Sequence, residues 1–289
     1  MGLIDVKTSA GILIRIRFEN EGQSLRLAQL LRFAAIAASL PALSSPPQAG
    51  ALPDRGVVDY QLGGGYPPSP GVTIVVRDST DSPAPGMFNI CYVNGFQTQP
   101  GAAWPEELLV PGRDKKPLAD SGWPDEFLLD VPTATSRKRN LALVGRSIDL
   151  CVKKGFDAVE FDNLDSYTRS GGYLDQSDAL AFAKLLVDRA SESGLSAGQK
   201  NAGELGKKGR DEAGFLFAIA EECHRWRECD IYTRVYGQIQ VIDIEYADEL
   251  RVDFATACAQ PHRPEKIVLR DKMLVSPGTE GYVFQSCTD

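Results

Sequence analysis

The sequence has few histidines and lacks the spaced cysteines of zinc-binding proteins. His224 and His262 are its only histidines, and no two cysteines form a CxxC pair, so the ligand spacing of a structural zinc site is missing. A Ser-His-Asp hydrolase is disfavoured as well, because neither histidine falls where a catalytic base is needed. No GxGxxG opens a helix after an early strand, which argues against a dinucleotide-binding fold. We therefore expect neither a metal nor a cofactor.

The chain also lacks an excess of basic residues. Its 39 acidic side chains outnumber its 31 basic ones, which gives a formal net charge of -8. This balance argues against a nucleic-acid partner and against an anionic membrane surface, and it favours a cationic partner. Residues 1–50 carry more basic than acidic side chains, so the acidity belongs to the rest of the chain. Hydrophobic residues at 43% are ordinary for a soluble globular protein.

The first 50 residues follow the order of a secretion signal. Arg26 and Arg32 precede an apolar run at 33–43, which is followed by small residues and a proline-rich stretch. The run is too short to span a bilayer, and an amphipathic helix packed on the domain is the alternative. We expect residues 1–50 to be an N-terminal extension with a signal-peptide-like segment and a linker, and residues 51–289 to be one folded domain. The mature protein is then secreted, free of the membrane and monomeric.

Six cysteines are consistent with an exported protein that has up to three disulfides. Cys223 and Cys229 are near enough in sequence to close a local loop, and Cys258 with Cys287 could tie the last helix to the tail. Spacing alone does not decide among the many pairings that six cysteines allow.

Short apolar runs alternate with longer amphipathic or loop segments from residue 57 onwards. This alternation is typical of a parallel sheet built from βα units. Nine runs fit the strand pattern: 57–61, 72–77, 88–93, 127–131, 158–162, 195–200, 215–220, 241–245 and 267–270. A closed barrel needs only eight, so one run is an accessory strand, and 127–131 is our candidate. The sequence therefore predicts an α/β fold, a (β/α)8 TIM barrel in a single domain.

Two of the intervening segments have clear helical periodicity. Residues 139–154 and 177–193 place apolar side chains at three- and four-residue spacing, and each segment is followed by a glycine. They are predicted to be helices of the outer ring. Residues 211–217 and 247–260 show weaker helical patterns.

Polar side chains follow seven of the predicted strands. The pattern is clearest at 156–167, where an apolar run leads into Asp162, Asn163 and Asp165. The carboxyl ends of barrel strands meet on one rim, where active sites are built, so these side chains are candidates for a common site. The rim set is Asp59, Gln61, Arg77, Asp78, Tyr92, Asn94, Asp162, Asn163, Lys200, Asn201, Glu221, Glu222, Glu245 and Tyr246. The simpler alternative at 156–167 is a turn capped by its own side chains.

Carboxylates dominate the rim set, which favours glycoside hydrolysis. Two carboxylates from different strands can divide that reaction, one attacking or activating water and the other protonating the leaving oxygen. We expect Asp162 and Glu221 to be the pair, with Asp162 ionised beside Lys200. Glu221 is expected to hold its proton near neutral pH if apolar neighbours surround it.

Lys200 raises a second possibility, the Schiff-base lysine of a barrel aldolase. The neighbouring Gln199 and Asn201 favour hydrogen bonds to sugar hydroxyls instead. Three of the acids also have structural alternatives: Glu222 as a solvated neighbour of the catalytic acid, Asp165 as a cap, and Glu245 as an ion-pair partner of Lys200 or Arg270.

Several segments, in order along the chain, resemble glycoside hydrolase family 114. They are 59–64 (DYQLGG), 91–94 (CYVN), 155–167 (GFDAVEFDNLDSY), 200–201 (KN), 220–223 (AEEC) and 244–246 (IEY). The FDN and EEC blocks are the most specific. That family comprises endo-α-1,4-polygalactosaminidases on a TIM barrel. The resemblance therefore implies an endo-acting hydrolase of α-1,4-linked, galactosamine-rich polysaccharide.

The resemblance also implies roles for individual residues. Asp162 matches the nucleophile and Glu221 the general acid/base, and Cys223 with Cys229 matches a disulfide that follows the acid strand. The side chains expected to bind substrate are Asp59, Gln61, Tyr92, Asn94, Asn163, Asp165, Lys200, Asn201, Glu222, Glu245 and Tyr246. The chain departs from the family pattern at Asp59, where many relatives have an aromatic residue, and in a longer, proline-rich loop at 97–123.

The acidic composition agrees with this reading, because a galactosamine polymer with free amines is cationic and an acidic cleft would concentrate it. Trp104, Trp123 and Trp226 could stack on sugar rings, although tryptophan more often packs in a core. Two rivals remain at this level. One is a barrel that binds carbohydrate without cleaving it, and the other is an exo-acting α-glycosidase whose loop at 97–123 closes one end of the cleft.

Overall fold

The computed structural model describes residues 2–7, 13–18, 51–113 and 115–287. The chain divides into two units, Met1–Pro47 and Gln48–Asp289. In the first unit, strands β1 (Gly2–Lys7) and β2 (Leu13–Phe18) pair antiparallel. The signal-peptide-like segment expected at 33–43 lies outside the described residues. Among those that are described, no helix combines the length and the apolar composition needed to cross a membrane.

Eight parallel strands in chain order form a barrel in the second unit. They are β3 (Val57–Gln61), β4 (Val72–Asp78), β5 (Phe88–Asn94), β6 (Ala158–Asp162), β7 (Ser196–Lys200), β8 (Phe217–Glu221), β9 (Val241–Tyr246) and β10 (Lys266–Arg270). In the described part of the chain, no backbone ladder joins β10 to β3. Arg270 crosses that seam instead and donates a hydrogen bond to the carbonyl oxygen of Tyr60. The predicted α/β barrel is confirmed.

The accessory strand differs from the prediction. Segment 127–131 makes only isolated antiparallel bridges, from Phe127, Leu128 and Leu129 to the preceding loop. Its strand-like pattern arises because its apolar side chains are buried under that loop. The ninth strand of the sheet is β11 (Phe284–Ser286), which pairs antiparallel with β10. Its short, polar sequence carries no strand signal.

The two strongest helix predictions are confirmed. Helix α1 (Ala134–Lys154) begins at a capping box formed by Thr133 and ends at Gly155, whose left-handed φ of 87° suits glycine. The remaining helices are α2 (Ser166–Arg169), α3 (Gln176–Glu192), α4 (Cys223–Trp226), α5 (Cys229–Tyr236) and α6 (Phe254–Cys258). The two weaker predictions, 211–217 and 247–260, are only partly helical. The structure has a π-helical turn at Gly209–Ala213 and the short helix α6 in their place.

Alternation along the strands sorts the core into two layers. Tyr60, Ile90, Ile219 and Ile244 belong to one buried cluster inside the barrel. Their sequence neighbours point outwards, where residues such as Phe161 pack in a second cluster with the apolar faces of α1 and α3. Because successive side chains face opposite sides, residues two apart on a strand share a face. This rule decides which rim residues reach the barrel axis.

Three disulfides join the six cysteines: Cys91–Cys151, Cys223–Cys229 and Cys258–Cys287. The first ties strand β5 to the last turn of α1, across 60 residues of sequence. The second closes the loop between α4 and α5, and the third joins α6 to the tail. The two pairings that the sequence suggested are both present.

Candidate active site

Three charged side chains meet at the carboxyl ends of neighbouring strands β6, β7 and β8. The ammonium nitrogen of Lys200 lies 3.8 Å from Oδ1 of Asp162 and 3.5 Å from Oε2 of Glu221. The two carboxylate oxygens therefore cannot be farther apart than the sum of these distances. Lys200 is buried, whereas both acids are partly open to solvent.

Asp162 is held by two hydrogen bonds. The Tyr92 hydroxyl donates to its Oδ2 at 2.8 Å, and the backbone N–H of Asn163 donates to its Oδ1 at 2.8 Å. Asn163 has a left-handed φ of 62°, a conformation that asparagine tolerates better than most residues. Its own amide donates to Oδ1 of Asn94, which is buried beside it. Asn94 and Asn163 thus fix the turn that presents Asp162.

Glu221 is held from two sides. The Asn201 amide donates to its Oε2 at 3.1 Å and accepts from its backbone N–H at 2.8 Å. The Tyr246 hydroxyl donates to its Oε1. The structure therefore brings together Tyr92, Asp162, Lys200, Asn201, Glu221 and Tyr246, all of them in the predicted rim set.

The protonation of Lys200 argues against a Schiff base. Burial alone would lower its pKa, but Asp162, Glu221 and Glu160 outweigh burial and hold the pKa well above its ordinary value. A nucleophilic lysine needs a lowered pKa. Lys200 instead stays an ammonium that pairs with both rim acids.

The electrostatics of Glu221 differ from the sequence expectation. Burial raises its pKa, but Lys200 and the hydrogen bonds from Tyr246 and Asn201 outweigh burial, so the pKa lies below its ordinary value. The expectation of a proton held on Glu221 near neutral pH is therefore wrong for the free protein. That expectation was based on the apolar residues next to Glu221 in the sequence, and it did not include the ammonium group of Lys200.

Glu160 and Tyr60 lie inside the barrel beneath these groups and were not predicted. Glu160 precedes Asp162 by two residues on β6 and is fully buried. The Tyr60 hydroxyl donates to its Oε1 at 2.9 Å and accepts from Lys200 at 2.8 Å. Burial raises the pKa of Glu160 to about 7. In the sequence, Glu160 is marked only by its position two residues before Asp162, which places both side chains on the same face of β6.

A cleft of about 310 Å³ opens over the two rim acids. Its lining residues are Asp120, Ser121, Gly122, Trp123, Asp162, Asn163, Asp165, Arg169, Asn201 and Glu221. The loop at 97–123 supplies one wall, where Trp123 is 66% exposed. Arg169 pairs with Asp120 and Asp165, and all three residues line the cleft. Asp165 makes no side-chain cap, so its expected capping role is replaced by this ion pair.

A further acid, Glu126, belongs to the surroundings of Asp162. It accepts a hydrogen bond from the Asn94 amide at 2.8 Å, and burial together with Asp162 raises its pKa. Asp120 and Glu126 come from loops and Arg169 from the short helix α2, and no strand pattern marks them in the sequence.

Asp59 and Gln61 do not reach the cleft, which corrects the expectation that they bind substrate. Both are fully buried on the outward side of β3. Asp59 pairs with Arg270 at 3.0 Å and accepts from the Tyr66 hydroxyl, and Gln61 bonds to Asp59 and Arg77. These groups stabilise the barrel beside the seam between β10 and β3.

Glu222 and Glu245 are not among the residues that line the cleft. Glu222 pairs with Arg225 at 2.6 Å and its side chain is only 12% exposed, so it is not a freely solvated neighbour of Glu221. Glu245 faces the helix layer and accepts from the His224 backbone N–H at 2.7 Å rather than pairing with Lys200 or Arg270. Tyr246, the next residue, has the inward parity. The expectation that Glu245 binds substrate is therefore corrected, whereas Glu222 is partly exposed and is only missing from the cleft lining.

The other two tryptophans lie outside the cleft lining. The Trp104 indole donates to the side chain of Asn140 at 2.9 Å. Trp226 is 54% exposed and lies beneath the guanidinium groups of Arg225 and Arg251.

Two chemical alternatives can be checked against the structure. Residues 194–198 (GLSAG) match the GxSxG pattern of serine hydrolases, but Ser196 is buried at the start of β7, at the end of the barrel away from the catalytic rim. Within the described residues, one group has metal-ligand spacing: Cys223, Cys229 and Asp243. Its two sulfurs are joined in a disulfide, so neither is a thiolate ligand.

A parallel barrel whose rim presents two carboxylates on alternate strands, in an open cleft, has the features of a glycoside hydrolase. The sequence model of glycoside-hydrolase family GH114 matches residues 40–289, and the chain belongs to this family.

The solved structures that are similar to the chain include those of Ega3 and PelA. Aspergillus fumigatus Ega3, in complex with galactosamine, is 22% identical over 80% of this chain and 95% of its own, with a TM-score of 0.62. The glycoside hydrolase domain of PelA from Pseudomonas aeruginosa is 15% identical over 77% of this chain and 97% of its own, with a TM-score of 0.54. A comparison with curated proteins finds no significant match.

Proposed function

We propose that the protein is an endo-acting hydrolase of α-1,4-linked, galactosamine-rich polysaccharide that retains the anomeric configuration. The observation that carries this proposal is the pair Asp162 and Glu221, held on either side of Lys200 at the base of an open cleft. The substrate class is supported by family membership and by Ega3, whose structure contains galactosamine. The net charge of -8 favours a cationic polymer.

In this proposal Asp162 attacks the anomeric carbon while Glu221 protonates the leaving oxygen. Glu221 then takes a proton from water as that water displaces Asp162 from the sugar. Tyr92 and Lys200 hold the attacking carboxylate, and Asn201 and Tyr246 hold the acid.

The distances support retention. Retaining enzymes have carboxyl groups about 5 to 5.5 Å apart, and inverting enzymes have them about 6.5 to 9.5 Å apart. Both acids contact Lys200, which limits the distance between their nearest oxygens. This limit allows the spacing of retaining enzymes and excludes most of the spacing range of inverting enzymes.

Secretion and domain organisation belong to the same proposal. Three disulfides favour an oxidising compartment, and the basic, apolar and small-residue order of the first 50 residues favours export. Residues 51–289 are then the catalytic domain, behind an N-terminal extension at 1–50.

The function is tested with galactosamine oligomers of defined length, either deacetylated or fully acetylated. We expect cleavage at internal bonds of the deacetylated oligomer, seen by mass spectrometry, and an α-configured first product, seen by early NMR spectra. A β-configured first product would disprove retention, and release of single sugars from one end would disprove endo action. Binding of the oligomer without new reducing ends would instead identify a carbohydrate-binding barrel.

Trp123 is expected to bind a sugar ring in the cleft. Replacing it with Ala should raise KM about tenfold, or ~1.4 kcal/mol, with little change in kcat, because a stacking contact holds substrate and transition state alike. Trp226→Ala is the matched control, since it removes an exposed indole outside the cleft lining. Equal effects of the two substitutions, measured by steady-state kinetics, would rule out a specific contact at Trp123.

A further inference from the structure

Glu160 is a buried acid that the two-carboxylate mechanism does not use. Its side chain has no exposed surface, and its Oε1 accepts the Tyr60 hydroxyl at 2.9 Å. Its Oε2 has no hydrogen-bond partner among the described residues. Leaving a carboxylate oxygen buried and unpaired is costly, so this environment favours the neutral, protonated acid.

A chain of polar atoms links Glu160 to the cleft. The Tyr60 hydroxyl, which contacts Glu160, lies 2.8 Å from the Lys200 nitrogen. That nitrogen lies 3.5 Å from Oε2 of Glu221. Glu160 is thus connected to Glu221 through two side chains, both of which can carry a proton.

The charges in this part of the described barrel do not balance if every acid is ionised. Glu160 and Asp162 on β6 and Glu221 on β8 face the one ammonium of Lys200 on β7. The hydroxyls of Tyr60 on β3, Tyr92 on β5 and Tyr246 on β9 face the same cluster and stay neutral, because burial raises their pKa. Acids in such a cluster share a proton. The proton resides on the acid whose ionised form gains the least from charged or hydrogen-bonded partners to offset its burial. Burial raises the pKa of Glu160 to about 7, whereas Lys200, Tyr246 and Asn201 keep that of Glu221 low. Below about pH 7, the resting proton therefore lies on Glu160.

Glycoside cleavage needs that proton at the other end of the chain. Resting on the function proposed above, we propose that Glu160 stores the proton that Glu221 delivers to the leaving oxygen, and that Tyr60 and Lys200 carry it between them. Lys200 passes a proton to Glu221, the Tyr60 hydroxyl turns from Glu160 to Lys200 and passes its own proton there, and Glu160 then turns its acid proton to the Tyr60 oxygen and replaces the one that Tyr60 gave up. The net result is an ionised Glu160 and a protonated Glu221, with Lys200 still an ammonium and Tyr60 still neutral. Glu160 is a positioning residue, since it never touches the sugar.

The test is Glu160→Gln, which keeps the shape of the side chain and its acceptor for Tyr60 but cannot store the proton. The wild type is expected to lose kcat/KM on deacetylated galactosamine oligomers as pH rises through about 7. In E160Q the alkaline limb is expected to move to clearly lower pH, because the proton must then reside on Glu221, whose pKa Lys200 and its hydrogen bonds hold below the ordinary value. Asp243→Asn is the matched control. Asp243 is as buried as Glu160, but it faces the helix layer and does not belong to the path of proton-carrying groups from Glu160 to Glu221. Its alkaline limb is expected to match that of the wild type, and an unmoved limb in E160Q would overturn the proposal.

A second measurement needs no substrate and so stays informative if the proposed function fails. Carbon-13 NMR of protein labelled at the glutamate carboxyls is expected to show two signals that titrate near pH 7 in the wild type, those of Glu160 and Glu245, and E160Q is expected to lack one of them, which identifies it as the Glu160 signal. A Glu160 signal that titrates below pH 5 would overturn the storage role.

Tyr60→Phe tests the delivery of the proton separately from its storage on Glu160. It also provides a test if E160Q fails to fold. The phenylalanine fills the same space but cannot pass a proton, so the Glu160 signal should persist while kcat falls at least tenfold. An unchanged kcat in Y60F would overturn the route through Tyr60 and Lys200.

Discussion

Replacing Asp162 with Asn is expected to lower kcat on galactosamine oligomers by about 10⁴-fold or more while the barrel stays folded. An amide cannot attack the anomeric carbon, but its oxygen still accepts the hydrogen bond from Tyr92. Reducing-end assays give the activity, and circular dichroism with thermal melting gives the integrity of the fold. Activity within tenfold of the wild type would disprove the nucleophile assignment.

The same experiment with Glu221→Gln assigns the second role. Its matched control is Glu222→Gln, the adjacent carboxylate, which pairs with Arg225 outside the cleft and should retain activity. Added azide is expected to form a glycosyl azide in both catalytic variants, of β configuration when Asp162 is replaced and of α configuration when Glu221 is replaced. Exchanged configurations would mean that the two roles are reversed.

The disulfide between Cys91 and Cys151 is expected to make a large contribution to the stability of the barrel. It spans 60 residues, and in the chain-entropy account a loop of that length contributes about 4 kcal/mol to the free energy of unfolding. Replacing both cysteines with Ala should therefore lower the denaturant midpoint strongly, because the cross-link no longer restricts the unfolded chain. Urea titration followed by fluorescence measures the change.

The Cys223–Cys229 pair is the internal comparison. It spans only 6 residues, so its removal should cost about 2 kcal/mol, roughly half as much. Cys223 follows Glu221 by two residues, and its loss should lower kcat more than the loss of the longer bridge does. Equal losses of stability in the two double variants would contradict the dependence on loop length.

The strand ends that carry Asp162, Lys200 and Glu221 could be found from sequence because each follows an apolar run that reads as a buried strand. The prediction treated every polar residue near a strand end as a cleft residue. Side chains alternate between the barrel axis and the helix layer, so Tyr246 reaches Glu221 while Glu245, one position earlier, does not. The odd or even position of a residue within its strand can be read from the sequence, and applying it would have excluded Glu245 from the predicted cleft residues.

Other features depend on contacts between distant segments. Asp59 resembles a rim acid until Arg270, more than two hundred residues later, is placed beside it. The charge of Glu221 depends on a lysine from another strand, and Glu160 looks like an ordinary strand residue until the barrel closes around it. Trp123 comes from a loop and Arg169 from the four-residue helix α2, and no periodic pattern in the sequence predicts the course of such segments.

The seam bridged by Arg270 has a consequence for the motions of the barrel. Side-chain bonds from one guanidinium replace a backbone ladder between the first and last parallel strands, so this junction has fewer main-chain bonds to break than any other. Transient opening, and with it the fastest exchange of strand amides, is therefore expected to begin between β3 and β10. The strands that carry Asp162, Lys200 and Glu221 lie across the barrel from that junction, so such opening leaves their spacing undisturbed.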